Sequence, residues 1–415
     1  MSPSARKIAT YILDAGVALY FILCVAIVAT GGFVFHALGL RISCQSLVNP
    51  LGILFLLIVL RLVAGRNKNA LLCLGSTVFA ALVFLYGLEA VLYGKEKKAV
   101  AALSAPAVPT AAPAASVAGK NYDPLRNDGV NWTWGHAVRN NAWGFREREI
   151  VVPKPDHVFR IMVLGDSLTW GAGLEEAERY TNLMEDALRK DGQQAEVLNF
   201  GIQAAPTTKE RDILRQFGPR VSPDLVVLGF CYNDPQPRSA NWSKERARLE
   251  DAYAVVASLR YLGMKRAYHF LIDRVDNLAA RHHLIPSWHE ALDRVYQQGS
   301  PEWTAFSQAL SEISAWAREY TGQPPVFAVL TQNLHRGNAA DFAGTPEGRW
   351  FARAAQEAAA RGFVVADPAP LFAAGFSAEE LAVNPLDSHP SAKCNRAYAE
   401  TLLRTIEPMT RKGRP

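Results

Sequence analysis

From Val158 onward the sequence alternates short apolar runs, rich in β-branched residues, with longer stretches of helical periodicity. Such alternation is typical of a parallel sheet whose strands are joined by crossover helices. The predicted strands cover residues 159–164, 196–200, 224–230, 326–330 and 363–366. The predicted helices cover residues 175–190, 207–217, 301–320, 348–361 and 392–406. We therefore predict an α/β domain with a parallel sheet over residues 158–415.

Residues 235–299 interrupt this alternation with a stretch that is too long for a simple crossover connection. No internal repeat explains its length. We predict that it is an insertion into the α/β domain, mostly helical, and that it forms a lid over the site.

The first hundred residues are far more apolar than the rest of the chain. Across all 415 residues, 49% are apolar and only 20% are charged, which is a rich apolar content for a soluble protein. Three apolar stretches, at residues 11–40, 47–64 and 69–93, suit helices that cross a bilayer. We predict a bundle of about three transmembrane helices within residues 1–98. A cleavable signal peptide is disfavoured because two more apolar stretches follow the first, and buried core helices are the remaining alternative.

The charges that flank the apolar stretches indicate an orientation. Arg6 and Lys7 precede the first stretch and further basic residues lie between the second and third, although three lysines follow the third. This distribution favours a cytoplasmic N-terminus, and three spans then put the remaining chain outside the cytoplasm. We predict a bacterial inner-membrane protein with a periplasmic catalytic domain. The small net charge of +5, without a basic block, argues against nucleic acid as a partner.

Two segments separate the apolar region from the α/β domain. The Ala/Pro-rich stretch at residues 99–119 cannot pack a core and is predicted to be a semi-extended linker. Residues 120–157 show no period and are predicted to form an irregular or β-containing entry segment. Its Trp132, Trp134 and Trp143 suit either packing or a sugar-stacking platform, and packing is the commoner use of such side chains.

A serine follows the first predicted strand, where binding sites form in open parallel sheets. The sequence Gly165-Asp166-Ser167 makes a tight turn into a helix. A hydroxyl at such a helix N-terminus is a candidate nucleophile if a base takes its proton, whereas an ordinary helix cap is the alternative. We predict that Ser167 is the nucleophile.

The later strands supply the partners that such a nucleophile needs. Gly201 ends the second strand and Asn233 follows the third, so the N–H groups of Ser167 and Gly201 and the Asn233 amide form a predicted oxyanion hole. Near the C-terminus, His389 is the predicted base. Asp387, two residues earlier, is predicted to orient its imidazole and to stabilise the imidazolium.

Taken in order, Ser167, Gly201, Asn233 and His389 resemble the four blocks of the SGNH (GDSL) hydrolase family. The resemblance covers the chain from residue 159 to the C-terminus, apart from the insertion. It implies a three-layer, flavodoxin-like α/β/α fold, no metal or organic cofactor, and hydrolysis or transfer of ester-linked acyl groups. It also implies that these four residues take the family's four named roles.

Two positions depart from the family's pattern. Cys231 stands where the third block has a glycine, and Gly229 lies two residues earlier. Leu386 stands three residues before the histidine, where the commonest last block has Asp, so the carboxylate comes from Asp387 instead. Asp367, after the fifth strand, is the weaker alternative to Asp387, since a turn or cap role is the favoured interpretation of that residue.

Signals for a metal site or a disulfide are weak. His282, His283 and His289 cluster in the insertion without carboxylates at ligand spacing, so we interpret them as surface residues and predict no metal site. Cys231 and Cys394 could pair in an oxidising compartment, but two buried thiols are the favoured interpretation.

Together these features predict a membrane-anchored serine esterase. The tether suits a substrate built at the membrane, so an acetylated cell-surface glycan is the favoured class, with lipid esters and lysophospholipids as the other. A sugar acceptor in place of water would make an O-acyltransferase with the same residues, and membrane partner proteins would fit that reaction. A non-catalytic assembly module and a transporter with an appended domain are further alternatives. The complete Ser, Gly, Asn and His set argues against the module.

Overall fold

The protein divides into two compact units. The first contains residues 1–95 and 241–291, and the second contains residues 96–240 and 292–415. The computed structural model describes residues 3–30, 33–37, 40–44, 48–64, 82–98, 127–236, 263–331, 339–368, 378–384 and 387–410. The linker predicted at residues 99–119 lies outside these described residues.

Helices and strands are numbered along the chain. The helices are α1 (Pro3–Thr30), α2 (Val48–Ala64), α3 (residues 82–98), α4 (Ser167–Trp170), α5 (Tyr180–Lys190), α6 (Thr207–Val221), α7 (Lys265–Arg281), α8 (Trp288–Val295), α9 (Pro301–Thr321), α10 (Pro346–Ala360), α11 (Ala378–Leu381) and α12 (Ala392–Thr410). The strands are β1 (Phe33–Ala37), β2 (Leu40–Cys44), β3 (Trp132–Thr133), β4 (His136–Ala137), β5 (Phe159–Gly165), β6 (Ala195–Gly201), β7 (Leu225–Phe230), β8 (Val326–Val329), β9 (Val364–Ala366), β10 (Ala382–Asn384) and β11 (Asp387–Pro390).

In the first unit, the antiparallel hairpin of β1 and β2 follows α1. The prediction of one apolar helix over residues 11–40 is therefore wrong beyond Thr30. The sequence Gly31-Gly32 disfavours helix, and the aromatic and β-branched residues of β1 favour a strand. Of the third predicted stretch, residues 69–81 lie outside the described residues. Among the helices of the described ranges, we find none that combines the length and the apolar character needed to cross a membrane.

The insertion contributes α7 to the first unit, where this helix packs on α3. Met264 and Ala267, at the start of α7, are fully buried against Leu82, Leu85 and Leu88. Burial of these apolar side chains stabilises the contact by removing their surface from water. The role of the insertion as a lid stays a prediction.

Glu89 of α3 binds the N-terminus of α7. Its Oε2 accepts the backbone N–H of Ala267 at 2.7 Å, and its Oε1 lies 3.1 Å from Nη1 of Arg266. The same guanidinium lies 4.9 Å from the centre of the Tyr93 ring. A carboxylate at a helix N-terminus is stabilised by the exposed N–H groups and the helix dipole. The insertion helix is therefore attached to α3 by apolar and by charged contacts.

The second unit is built on a five-stranded parallel sheet with the order β6-β5-β7-β8-β9. Each strand agrees with a predicted strand to within one residue at either end. The neighbouring strands are parallel throughout this sheet. The prediction of an α/β domain with a parallel sheet is confirmed.

Helices cover both faces of this sheet, because successive side chains of a strand point to opposite sides. On one face, Val163 of β5 shares a core with Met184 of α5 and Tyr398 of α12. On the other face, the ring of Phe230 in β7 lies 5.6 Å from that of Phe306 in α9. The second unit is thus a three-layer α/β/α arrangement.

Three glycines stand side by side at the carboxyl ends of β6, β5 and β7. The strand register pairs Gly165 with both Gly201 and Gly229, and we call the three residues the glycine row. The short helix α4 lies directly on the row. A Cβ on Gly165 or Gly229 would lie 2.0 or 2.4 Å from Oγ1 of Thr169, and one on Gly201 would lie 2.4 Å from the Trp170 nitrogen. Only residues without a side chain leave room for α4 here.

Candidate active site

Ser167, His389 and Asp387 form one hydrogen-bonded chain at the edge of the sheet. Nε2 of His389 lies 2.9 Å from Oγ of Ser167, and Nδ1 of His389 lies 2.5 Å from Oδ1 of Asp387. Ser167 begins α4 directly beyond β5, whereas the other two residues lie two positions apart in β11. Alternate residues of a strand share a face, which allows the carboxylate to reach the imidazole. All three residues are half-buried, so a substrate can approach the hydroxyl.

The two charged partners shift each other's pKa. Burial disfavours the imidazolium, but the hydrogen bond and the charge of Asp387 outweigh it and raise the pKa of His389 above its ordinary value. Burial likewise disfavours the carboxylate, but the hydrogen bonds and charge of His389 outweigh it and lower the pKa of Asp387. Asp387 is therefore ionised at neutral pH, and it stabilises the protonated imidazole that proton transfer from a serine would create.

The second carboxylate oxygen of Asp387 has a partner that the sequence analysis missed. The indole Nε1–H of Trp134 donates to Oδ2 of Asp387 at 2.6 Å across 253 positions of sequence. Such a long separation leaves no local signal for the pairing. Trp143, by contrast, packs on Phe217 with ring centres 5.4 Å apart, as expected for a structural aromatic residue.

Asp166 is fully buried directly before Ser167 and caps α4. Its Oδ1 accepts the backbone N–H of Leu168 at 2.9 Å, and its Oδ2 accepts the side-chain amide of Asn233 at 3.3 Å. Burial raises the pKa of Asp166, while these hydrogen bonds and the charge of His389 act in the opposite direction. Asp166 thus places Asn233 beside the turn that carries the nucleophile.

The predicted oxyanion donors are brought together only in part. Ser167 provides a backbone N–H at the N-terminus of α4, and Asn233 lies next to it through Asp166. The N–H of Gly201, however, donates to Oδ1 of Asn199 at 2.9 Å, and Gly201 is buried within the glycine row. Gly201 therefore has a packing role here, and its N–H is engaged inside the protein. The acceptor, Asn199, is not one of the four residues that carry the family resemblance, so the resemblance did not indicate this hydrogen bond.

The entry segment holds the loop that follows α4. The buried guanidinium of Arg146 donates to the carbonyl oxygens of Gly171 at 2.6 Å and Leu174 at 2.7 Å. Burial and a neighbouring arginine lower the pKa of Arg146 to about 10. The N–H of Gly173 donates to Oγ1 of Thr133 at 2.7 Å. The entry segment, predicted to be irregular or β-containing, therefore supplies hydrogen bonds that fix the loop next to the nucleophile.

The remaining candidates from the sequence lie apart from this chain of three residues. Asp367 is exposed after β9, and His282 and His283 are exposed at the end of α7. Cys231 and Cys394 are buried in one core, and they are not joined to each other in the described part of the chain. Across the described ranges, no group of three or more His, Cys, Asp or Glu side chains is arranged to hold a metal ion.

Two further buried carboxyl groups lie near Asp166. Both oxygens of Glu210 and Oδ1 of Asp234 have no hydrogen-bond partner within the described residues. Burial and the charge of Asp166 raise the pKa of Glu210 well above its ordinary value. Burial and the charges of Glu210 and Asp166 do the same to the pKa of Asp234. Buried carboxyl groups that lie close together cannot both ionise readily, so their mutual repulsion favours the protonated form.

Comparisons with known proteins agree with this geometry. Residues 163–397 match the model of the GDSL-like Lipase/Acylhydrolase family. An arylesterase from Vibrio mimicus is 30% identical over 107 residues, which cover 24% of this chain and 54% of that protein. The chain therefore matches about half the length of this curated relative.

Two of the solved structures to which the chain is similar are described as esterases. The acetylxylan esterase Axe2 from Geobacillus stearothermophilus is 14% identical with a TM-score of 0.33, covering 60% of this chain and 94% of that one. The esterase EstA from Pseudoalteromonas is 11% identical with a TM-score of 0.35, covering 61% and 99%. The family match spans more than half of this chain and includes Ser167, Asp387 and His389. The chain belongs to the GDSL-like lipase/acylhydrolase family.

Proposed function

We propose that this protein is a serine esterase that cleaves acyl esters through an acyl-enzyme on Ser167. The observation that carries the proposal is the hydrogen-bonded chain from Ser167 through His389 to Asp387. Membership of an acylhydrolase family supports the reaction class. The ionised carboxylate at the end of the chain supports the role of His389 as a base.

In the proposed mechanism, Oγ of Ser167 forms a bond to the ester carbonyl carbon while its proton moves to Nε2 of His389. The Ser167 N–H and the Asn233 amide stabilise the negative charge on the carbonyl oxygen. The alcohol then leaves with the proton from Nε2, and the acyl group stays on the serine. A water molecule then attacks the acyl carbon while one of its protons moves to Nε2 of His389. Nε2 passes this proton to Oγ as the bond between Oγ and the acyl carbon breaks, which releases the acid and restores the serine.

For the substrate, we propose an acetyl ester on a cell-surface glycan. This class is supported by the predicted tether, which would let the second unit reach a polymer built at the membrane. A sugar hydroxyl could replace water in the second step, and the chain would then act as an O-acyltransferase through the same residues. Esters of membrane lipids, including lysophospholipids, are the other class that the predicted anchoring favours.

We also propose attachment to a bacterial inner membrane, with the second unit in the periplasm. Exposed apolar side chains of the first unit support the contact with a membrane. Ile8, Tyr11 and Ile12 of α1 are 61%, 73% and 65% exposed, and Phe84 of α3 is 68% exposed. Apolar surface in water costs about 25 cal/mol per Å², and lipid removes this cost. Full-length protein should therefore stay in the membrane pellet after alkaline carbonate extraction. Recovery in the supernatant would contradict anchoring.

The enzymatic proposal is tested with the full-length chain in mild detergent. We expect hydrolysis of p-nitrophenyl acetate that falls with longer acyl chains, and covalent labelling of Ser167 by a fluorophosphonate. Ser167→Ala should lose both signals and keep the far-UV circular dichroism of the wild type. Equal turnover by both proteins would favour a non-catalytic module. A drop in acid release when a sugar acceptor is added, with acylated sugar as the product, would favour the transferase.

A further inference from the structure

The turn of the β3–β4 hairpin places a tryptophan where its backbone is strained. Trp134 and Gly135 connect the two strands with φ angles of 47° and 81°. Two positive φ angles in a two-residue turn favour Asn-Gly or Gly-Gly, because a bulky side chain disfavours the left-handed region. The positive φ angle of Trp134 costs conformational free energy. Such strain is common at functional sites, so we infer that the contact made by its side chain has a function.

That contact is with the carboxylate of the hydrogen-bonded chain. The indole N–H of Trp134 donates to Oδ2 of Asp387 at 2.6 Å, while Oδ1 of the same group lies 2.5 Å from Nδ1 of His389. A carboxylate that is bound only through one oxygen can rotate about its terminal bond. With both oxygens engaged, the plane of the group is fixed and Oδ1 faces the imidazole.

The hairpin itself is held from both of its strands. Oγ1 of Thr133, on one strand, accepts the N–H of Gly173, and Nδ1 of His136, on the other, lies 2.8 Å from Oε1 of Glu175. Both partners belong to the loop that follows α4. Three backbone N–H groups, of residues 130, 131 and 132, also donate to Oδ1 of Asp128 and fix the chain before the hairpin. The indole is therefore presented from a rigid element.

We propose that Trp134 is a positioning residue for the proposed esterase reaction, and that it acts through Asp387 on the base His389. It touches no reacting atom. This inference rests on the proposed function, and it extends the hydrogen-bonded chain by one member from outside the segment that matches the family, since Trp134 precedes residue 163.

The first test compares full-length Trp134→Phe with the wild type on p-nitrophenyl acetate. We expect kcat to fall by about tenfold, as for other residues that orient a catalytic group, with KM nearly unchanged. The acid limb of the kcat/KM profile should move to lower pH, because a looser Asp387 raises the pKa of His389 less. Trp143→Phe is the matched control, and its activity should stay within about twofold of the wild type.

A double-mutant cycle distinguishes positioning from a general loss of structure. In an Asp387→Asn background, Trp134→Phe should cost no further activity, because the group through which it acts has already changed. If the Trp134→Phe chain does not fold, Trp134→His, with a ring N–H and a better tolerance of positive φ, takes its place in the cycle. Multiplicative losses, or an unchanged pH profile, would overturn the inference. Wild-type activity that does not depend on Ser167 would instead refute the proposed function itself.

Discussion

Thr169 of α4 and Gly229 of β7 are in such close contact that a Cβ on the glycine would lie 2.4 Å from Oγ1 of the threonine. The same Cβ would lie 2.6 Å from the hydroxyl of Tyr180, which is itself 2.8 Å from that Oγ1. Thr169 and Tyr180 are both fully buried, so neither can move aside without disturbing the core.

Gly229→Ala should therefore lower the free energy of unfolding by about 1–3 kcal/mol, the usual cost of overpacking a core. Esterase activity should fall as well, because α4 must shift away from the glycine row and carries Ser167 with it. Urea unfolding and p-nitrophenyl acetate turnover measure the two effects. Gly344→Ala is the control, since its Cβ would meet nothing within 4 Å. Wild-type stability of Gly229→Ala would contradict the close contact.

Substitutions in the hydrogen-bonded chain should separate catalysis from folding. Ser167→Ala and His389→Ala should each reduce kcat by about 10⁶-fold, and Asp387→Asn by about 10⁴-fold, by analogy with other serine hydrolases. Because all three residues are half-buried at an open edge, thermal unfolding should change little. Steady-state kinetics and circular dichroism provide the comparison. A larger loss for Asp387→Asn than for Ser167→Ala would argue against the proposed roles.

The pH profile should report the raised pKa of His389. A base must be neutral to accept a proton, so kcat/KM falls as the pH drops through the pKa of His389. Asp387 raises that pKa, which puts the acid limb above about 6.5, the ordinary value for histidine. Asp387→Asn removes the charge and should move the limb to lower pH. The same limb in both proteins would show that another group controls it.

Glu210→Gln should stabilise the protein at neutral and alkaline pH. The pKa of Glu210 is raised in the folded state, so the folded protein binds this proton more tightly than the unfolded chain. Wild-type stability therefore falls relative to the variant as the pH rises above about 4.3, the ordinary value for glutamate. Thermal unfolding of the two proteins at several pH values should show a difference in stability that closes towards acid. A difference in stability that widens towards acid would contradict the raised pKa of Glu210.

Glu89→Ala should loosen the insertion helix α7. The substitution removes the acceptor of the Ala267 N–H and the ion-pair partner of Arg266, at a cost of about 1 kcal/mol. Amide hydrogen exchange should accelerate over residues 265–281 in the full-length protein. Lys97→Ala, an exposed change on the same helix α3, should leave the exchange rates unaltered. Unchanged exchange rates in Glu89→Ala would mean that the apolar contacts alone hold α7 on α3.

The parallel sheet could be predicted because its strands are short apolar runs, and the central strands β7 and β8 are buried on both faces. Val163 and Phe230 illustrate this, since they point into opposite helical layers and both are fully buried. Ser167 could be predicted because it follows a strand of the parallel sheet, where binding sites form. Asp387 and His389 lie in β11, outside that sheet, and their prediction depends on their spacing before the last helix and on the family resemblance. The hairpin after Thr30 could not be predicted, since the periodicity of an apolar run does not distinguish a helix from strands.

Contacts between distant segments lay beyond the reach of the sequence. The entry segment has no period, so nothing in it indicated that Arg146 would bind carbonyl groups after α4 or that Trp134 would bind Asp387. The role given to Gly201 depended on its place in a motif. Its N–H instead donates to Oδ1 of Asn199, a contact that the motif does not indicate.

The contact between the Trp134 hairpin and Asp387 also affects when the active site can form during synthesis and folding of the chain. Ser167 and His389 are 222 positions apart, and Trp134 and Asp387 are 253 apart, so a ribosome must extend the chain past β11 before these contacts form. Contacts between such remote positions close late, because the entropy of the intervening loop opposes them. A nascent or C-terminally truncated chain would therefore carry a serine without its base, and hydrolytic power would arise only with the last strand.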